Sequence, residues 1–256
     1  MLGFCFMSAV LTAQVAGMTH VSEPDLINLK TPHVLQAGKQ SVSIDTRYEG
    51  GYEKTVRTDV EYGFGLCDHL EVDGVTSLSR WDTEAAAAGP TVRAGGTDEE
   101  VSLKYKLDTQ VPVTVQAGLA YAQTPAQDDR LATTLGASAA WEATEGIQLY
   151  ANPRAVFLDK NSIVGFGLGF SAKVMQDIDV LGDWTPILSG QNTVDMQTGL
   201  RGRAQLYSIG LRFKNLVPHG AVDLGITNST GSTTGTSLTP TLGNSPSLFV
   251  RLSYRF

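Results

Sequence analysis

The sequence is short of cysteine, histidine and long apolar runs. Two cysteines, Cys5 and Cys67, and four histidines occur in 256 residues. Beyond residue 17 no stretch approaches the roughly 18 apolar residues that a transmembrane helix needs, so any membrane crossing must be made without helices. A basic excess is missing too. Lys and Arg number 19 against 26 Asp and Glu, a net charge of −7, which argues against a nucleic-acid partner. With 10 prolines and 27 glycines the chain is neither collagen-like nor low-complexity, and 42% hydrophobic residues is too many for disorder.

Residues 1–17 carry no charge and are apolar from Leu2 to Leu11. That length fits the core of a signal peptide, and Val15-Ala16-Gly17 offers small residues for cleavage, although the usual basic start is missing. Cys5 falls in this leader, so the mature chain is expected to keep Cys67 and no internal disulfide. Residues 18–40 read as a periplasmic lead-in and 41–256 as one β domain.

What is present in abundance is alternation. Twelve segments run with period two: 41–48, 56–66, 70–79, 101–108, 112–122, 131–142, 147–158, 163–174, 178–187, 205–214, 221–227 and 247–256. Period two over such lengths predicts half-buried strands. In 206–214, Tyr207, Ile209, Leu211 and Phe213 oppose Ser208, Gly210, Arg212 and Lys214. Throughout, one face is apolar and uncharged, while the other collects Arg, Lys, Asp, Glu, Ser and Gly. Short connectors (67–69, 109–111, 143–146, 175–177, 215–220) alternate with longer ones (49–55, 80–100, 123–130, 188–204, 228–246), with 159–162 a brief exception. The Ser/Thr/Gly run of 228–246 reads as a mobile loop. Pro153 and Pro186 fall within segments, where proline marks an edge, a bulge or a misplaced strand.

A soluble sandwich or barrel alternates equally well. Four features favour a closed, antiparallel, up-and-down transmembrane β-barrel of about twelve strands. The strands approach the 9–11 residues that a tilted strand needs to cross a bilayer, and their even number leaves no sheet edge facing lipid. Aromatics (Tyr48, Phe64, Tyr121, Trp141, Phe157, Trp184, Phe213, Tyr254) lie near segment ends, where interfacial girdles sit. Finally, the chain ends inside a strand, Ser247 to Phe256, with Tyr254 and Phe256 on its apolar face. This ending resembles the C-terminal assembly signal of bacterial outer-membrane barrels, which implies the barrel-assembly machinery and outer-membrane lipid as partners.

Leu29-Lys30-Thr31-Pro32-His33-Val34-Leu35 with Gly38-Lys39 is similar to the entry into the first strand of a large group of such barrels, described as transporters and including proteins linked to phenol degradation. Tyr62 to Val72 (YGFGLCDHLEV) resembles that group's strand–turn–strand unit, with Cys67 and His69 where the group usually has Thr and Arg. Phe170 to Val180 repeats the cadence. The resemblance implies fold and outer-membrane location, and leaves the solute open.

The polar face predicts the lumen. It gathers Arg47, Arg57, Lys104, Lys106, Arg154, Lys173, Arg212, Lys214, Arg251 and Arg255, against Asp45, Asp59, Glu61, Glu71, Asp73, Asp108, Glu142, Asp179, Asp183 and Asp223. Equal numbers of each sign predict either a weakly selective polar conduit or an ion-paired structural interior. Candidate chemistry is sparse. His20, His33, His69 and His219 fall in the lead-in or in short turns, away from the rim and wall positions where outer-membrane hydrolases keep a histidine. Cys67, Asp68, His69 and His219 lack local metal-ligand spacing, and Asp98-Glu99-Glu100 and Asp128-Asp129 read as solvated loop charges. No catalytic residue, metal site or cofactor is expected. The leading function is a channel or transporter for small solutes, and the resemblance to the transporter group implies hydrophobic compounds among them. The alternative is a structural or surface-interaction barrel acting through loops 80–100, 188–204 and 228–246. An outer-membrane hydrolase or a soluble barrel follows behind.

Overall fold

The structure, a computed structural model, describes residues 25–49, 54–82, 96–122, 130–158, 162–195, 198–216 and 219–256. The leader, Cys5, His20 and Asp128-Asp129 lie outside them. Twelve long antiparallel strands close into a barrel: β1 (Gln40–Glu49), β2 (Lys54–Cys67), β3 (Leu70–Asp82), β4 (Gly96–Leu107), β5 (Val113–Ala122), β6 (Arg130–Thr144), β7 (Ile147–Phe157), β8 (Ile163–Met175), β9 (Ile178–Thr185), β13 (Leu206–Lys214), β14 (Gly220–Thr227) and β15 (Ser247–Arg255). Three short pieces, β10 (Ile187–Ser189), β11 (Thr193–Val194) and β12 (Arg201–Gly202), belong to the connection between β9 and β13. Each long strand pairs with its chain neighbours, and β1 pairs with β15 from Ser41↔Arg255 to Glu49↔Ser247. Amides and carbonyls of Gln40 and Phe256 exchange the last two bonds of this seam at 2.9 and 3.0 Å.

The twelve expected segments and the twelve strands coincide, with one large shift. β4 begins at Gly96, because Asp98 and Glu100 alternate inward from a strand rather than decorating a loop. Pro153 sits within β7 with no bulge beside it. The pairs Gly136↔Arg154 and Ala139↔Ala151 keep one register across it. Proline cannot donate to the Ala137 carbonyl opposite, and the Asn152 amide nitrogen does so instead at 2.5 Å, bonding Ser138 Oγ at 2.8 Å as well. At Pro186 the ladder does break: β9 stops at Thr185, and β10 resumes on β8 with a register shift between Ile187 and Ser189.

The barrel is inside-out relative to a soluble protein. Leu211 and Leu224 are each 41% exposed, whereas their chain neighbours Arg212 and Asp223 are each 1% exposed. Burying charge and presenting leucine is favourable only where the outer solvent is hydrocarbon. The β2–β3, β4–β5, β6–β7, β8–β9 and β13–β14 connections, and the end of the β1–β15 seam formed by Gln40 and Phe256, lie at one end of the barrel, termed the short-turn end. The longer connections lie at the other, long-loop end.

Candidate functional site: a lumen filled from both ends

Residues 25–38, expected to precede the barrel, run inside it from the short-turn end. Gly38 N donates to Gly65 O (2.8 Å), Ala37 N to Asp68 Oδ1 (3.2 Å) and Leu35 N to Glu71 Oε2 (2.7 Å). A Cβ on Gly65 would stand 2.1 Å from the Gln36 carbonyl oxygen, so this wall position must be glycine for the segment to pass. Farther in, Leu26, Ile27 and Leu29 are fully buried against Ala140, Tyr150, Leu181 and Phe249. The glycines of β8 create their seat. A Cβ on Gly167 would lie 2.4 Å from Leu29 Cδ2, and one on Gly169 2.6 Å from Leu26 Cδ1. Each buried aliphatic side chain contributes about 1.5–3 kcal/mol to holding the segment in place.

The wall grips this segment largely through its backbone. Arg251 donates to the carbonyls of Leu26 (2.7 Å) and Ile27 (2.6 Å), Arg212 to that of Asp25 (2.6 Å) and Arg154 to that of Asn28 (2.6 Å). The Asn28 amide nitrogen donates to Asp183 Oδ1 (3.1 Å) and Thr227 Oγ1 (3.0 Å). Lys30 bridges Asp25 (3.0 Å) and Glu61. Burial alone would lower the Lys30 pKa, but the carboxylates of Asp25, Glu61 and Asp73 outweigh it and hold the ammonium well above the usual lysine range. Burial likewise pushes the Asp25 carboxyl up, and Lys30, Lys104 and the Thr31 amide more than reverse this, leaving it below the ordinary range.

The Ser/Thr/Gly run 228–246, expected as a mobile loop, folds into the lumen from the long-loop end. Its Ser229, Thr233, Thr236, Ser237, Leu238 and Thr241 are buried. Leu238 packs with Ala120, Ala132, Val156, Ile163 and Leu206, in space left by Gly165, where a Cβ would meet Leu238 Cδ2 at 2.5 Å. Ser232 N donates to Asp59, and Thr234 Oγ1 to Glu100 at 2.7 Å. Hydroxyl-rich sequence reads as solvent-exposed, yet against charged walls it is the composition that satisfies buried donors and acceptors. The two inserted segments meet at two wall arginines. Arg47 donates to Asn28 Oδ1 (3.3 Å) and Ser229 O (2.9 Å), and Arg154 to Asn28 O (2.6 Å) and Ser237 Oγ (2.5 Å).

Of the expected lumen residues, Arg47, Arg57, Asp59, Lys104, Arg154, Arg212 and Arg251 are buried, and Glu61 is half-buried at Lys30. Arg57 pairs with Asp59 (2.8 Å) and Asp98 (2.9 Å), Arg212 with Asp223 (2.8 Å), and both Arg47 and Arg251 with Asp45 (3.0 and 2.9 Å). Lys106 and Lys173, with Asp108 and Glu142, are exposed near the short-turn end, where the inward face runs out of barrel. Half-buried Arg255 lines a small cleft there with His33, Glu71, Asp73 and Lys104. Among described buried residues six are basic and nine acidic. Enclosed charge is therefore not balanced, partly because Asp98 and Glu100 face inward. Tyr254 and Phe256 face outward with ring centroids 5.7 Å apart. His69 Nδ1 lies 3.6 Å from Asp108 Oδ1, and no three metal-binding side chains cluster among the described residues.

A closed barrel with an apolar exterior and an ion-paired lumen defines the class of transmembrane β-barrels. No protein-family model matches the chain, and no curated protein does. Among solved structures it is similar to the NanC porin (10% identity, 83% of this chain and 98% of that one, TM-score 0.56). An outer-membrane channel from Pseudomonas putida F1 matches at 14% identity over 88% and 97% of the chains (TM-score 0.52). The KdgM porin matches at 12% over 84% and 99% (TM-score 0.50). At such identities the likeness is one of fold.

Proposed function

We propose that the protein is an outer-membrane channel for small solutes, held closed by two of its own segments. One observation carries this reading: residues 25–38 and 228–246 occupy the lumen, seated among its charged wall side chains. Wall glycines at 65, 165, 167 and 169 leave the room those segments occupy. A barrel needed only as a scaffold can fill itself with larger wall residues. The porin-like fold supports outer-membrane placement, and the terminal strand bearing Tyr254 and Phe256 supports recognition by the assembly machinery. The likeness of 29–39 and 62–72 to the transporter group with phenol-degradation members supports small organic cargo.

Planar-bilayer recording tests the reading. The full chain should pass small, intermittent KCl currents, and a variant lacking residues 26–35 should pass several-fold larger ones. Absence of current from both would leave a structural barrel.

A further inference from the structure

We infer that Arg154, between the two inserted segments, is a binding site for a small carboxylate with an apolar body. The inference builds on the channel reading and names the class of solute.

Among the described residues five arginines are buried in the lumen, and four have carboxylate partners there: Arg47 and Arg251 at Asp45, Arg57 at Asp59 and Asp98, and Arg212 at Asp223. Arg154, only 4% exposed, has none among the described residues. Its bonds go to neutral oxygens, the Asn28 carbonyl (2.6 Å), Ser237 Oγ (2.5 Å) and Thr185 Oγ1 (3.2 Å), and its buried Nε has no partner. A buried guanidinium without an anion is costly, and its planar fork matches a carboxylate. Asp183, Glu100 and Asp25 act on it through space only. Asp183 is occupied by Asn28 and Ser208, and Glu100 by Thr134 and Thr234. Arg154 also lines a cavity between the two segments whose carboxylates, Asp25 and Glu61, are both taken by Lys30.

The apolar half of the site stands beside the charge. Arg154 is registered opposite Gly165 on β8, with Gly167 opposite Asn152. Onto these two glycines dock Leu238 and Leu29, one isobutyl group from each inserted segment. A carboxylate carrying a group of that size would displace one leucine, fill its seat and supply the counter-ion that Arg154 lacks. Its binding would thereby separate the segments.

The probe is 4-methylpentanoate, compared with 4-methylpentan-1-ol (body without charge) and acetate (charge without body). Calorimetric titration of the refolded full chain should show saturable binding of 4-methylpentanoate, with a Kd at least tenfold below those of the two controls. Arg154→Gln should weaken it tenfold or more, and Arg154→Lys should weaken it less. Equal binding of acid and alcohol, or unchanged binding in Arg154→Gln, would overturn the inference. If Arg154→Gln does not refold, the three-probe comparison on the natural chain decides alone. KCl currents from the same preparation separate the two readings. Current without selective binding removes the carboxylate site alone, whereas selective binding without current from the full chain or the shortened one keeps the site and removes the channel.

Discussion

At the scale of single residues, the barrel is built from substitutions of one group for another. Asn152 is the clearest case. Its side-chain amide takes the place of the main-chain N–H that Pro153 lacks, and so caps the Ala137 carbonyl. Asn152→Ala should therefore destabilise the barrel by about 1–3 kcal/mol, the cost of an unsatisfied buried acceptor. Adding Pro153→Ala should recover most of that loss, because the restored amide reaches the same carbonyl. Urea titrations of the single and double variants in detergent check this, and additive losses would refute it. The proline itself was visible in the sequence, but its remedy was not. An asparagine on the lumen face looks like any other polar residue there until its partner is known.

Among elements, the strands were legible and the inserted segments were not. A strand between hydrocarbon and a polar lumen must alternate, so period two marked all twelve long strands. The start of β4 alone is obscured, by five residues, because Asp98, Glu99 and Glu100 together resemble a loop, although Glu99 is the exposed one of the three. Leu26, Ile27 and Leu29 follow no such period, since they dock onto glycines well over a hundred residues away. Serine and threonine in 228–246 satisfy buried charges as readily as they would face water. Lys30 carries the prediction at this scale. Lys30→Gln strands the Asp25 and Glu61 carboxylates, and losing one side of a buried pair costs about 3–5 kcal/mol. The first inserted segment should then leave the lumen, seen as protease cleavage within 25–36 while the barrel stays resistant. In the natural chain, the depressed Asp25 value withdraws support only as pH falls through it. The raised Lys30 value does so only as pH rises beyond the usual lysine range.

For the whole molecule, the central fact is the reversal of inside and outside. Leu168 projects from β8 at 40% exposure, whereas Gly167 and Gly169 beside it turn to the lumen. Leu168→Arg should cost roughly 2–4 kcal/mol on folding into lipid vesicles if it lies near the bilayer midplane. It should cost far less in a detergent micelle, where the guanidinium reaches water. A penalty of equal size in both would argue that the surface does not face hydrocarbon. The sequence pattern specifies this reversal only in combination with strand length, even strand number, the aromatic girdles and the terminal strand, since alternation alone is the same for a soluble barrel.

The seam between β1 and β15 joins the beginning of the sheet to its end, so it is the last contact that chain-order assembly can make. Asp45 and Arg251 face each other directly across it, and the same Arg251 clasps the carbonyls of Leu26 and Ile27. Residues 25–38 lead directly into β1, and residues 228–246 lead directly into β15. The two strands that must find one another are thus those that carry the lumen's contents. Arg251 is thus a shared fastener: it belongs to the closing strand, and it secures the first inserted segment as well as the seam.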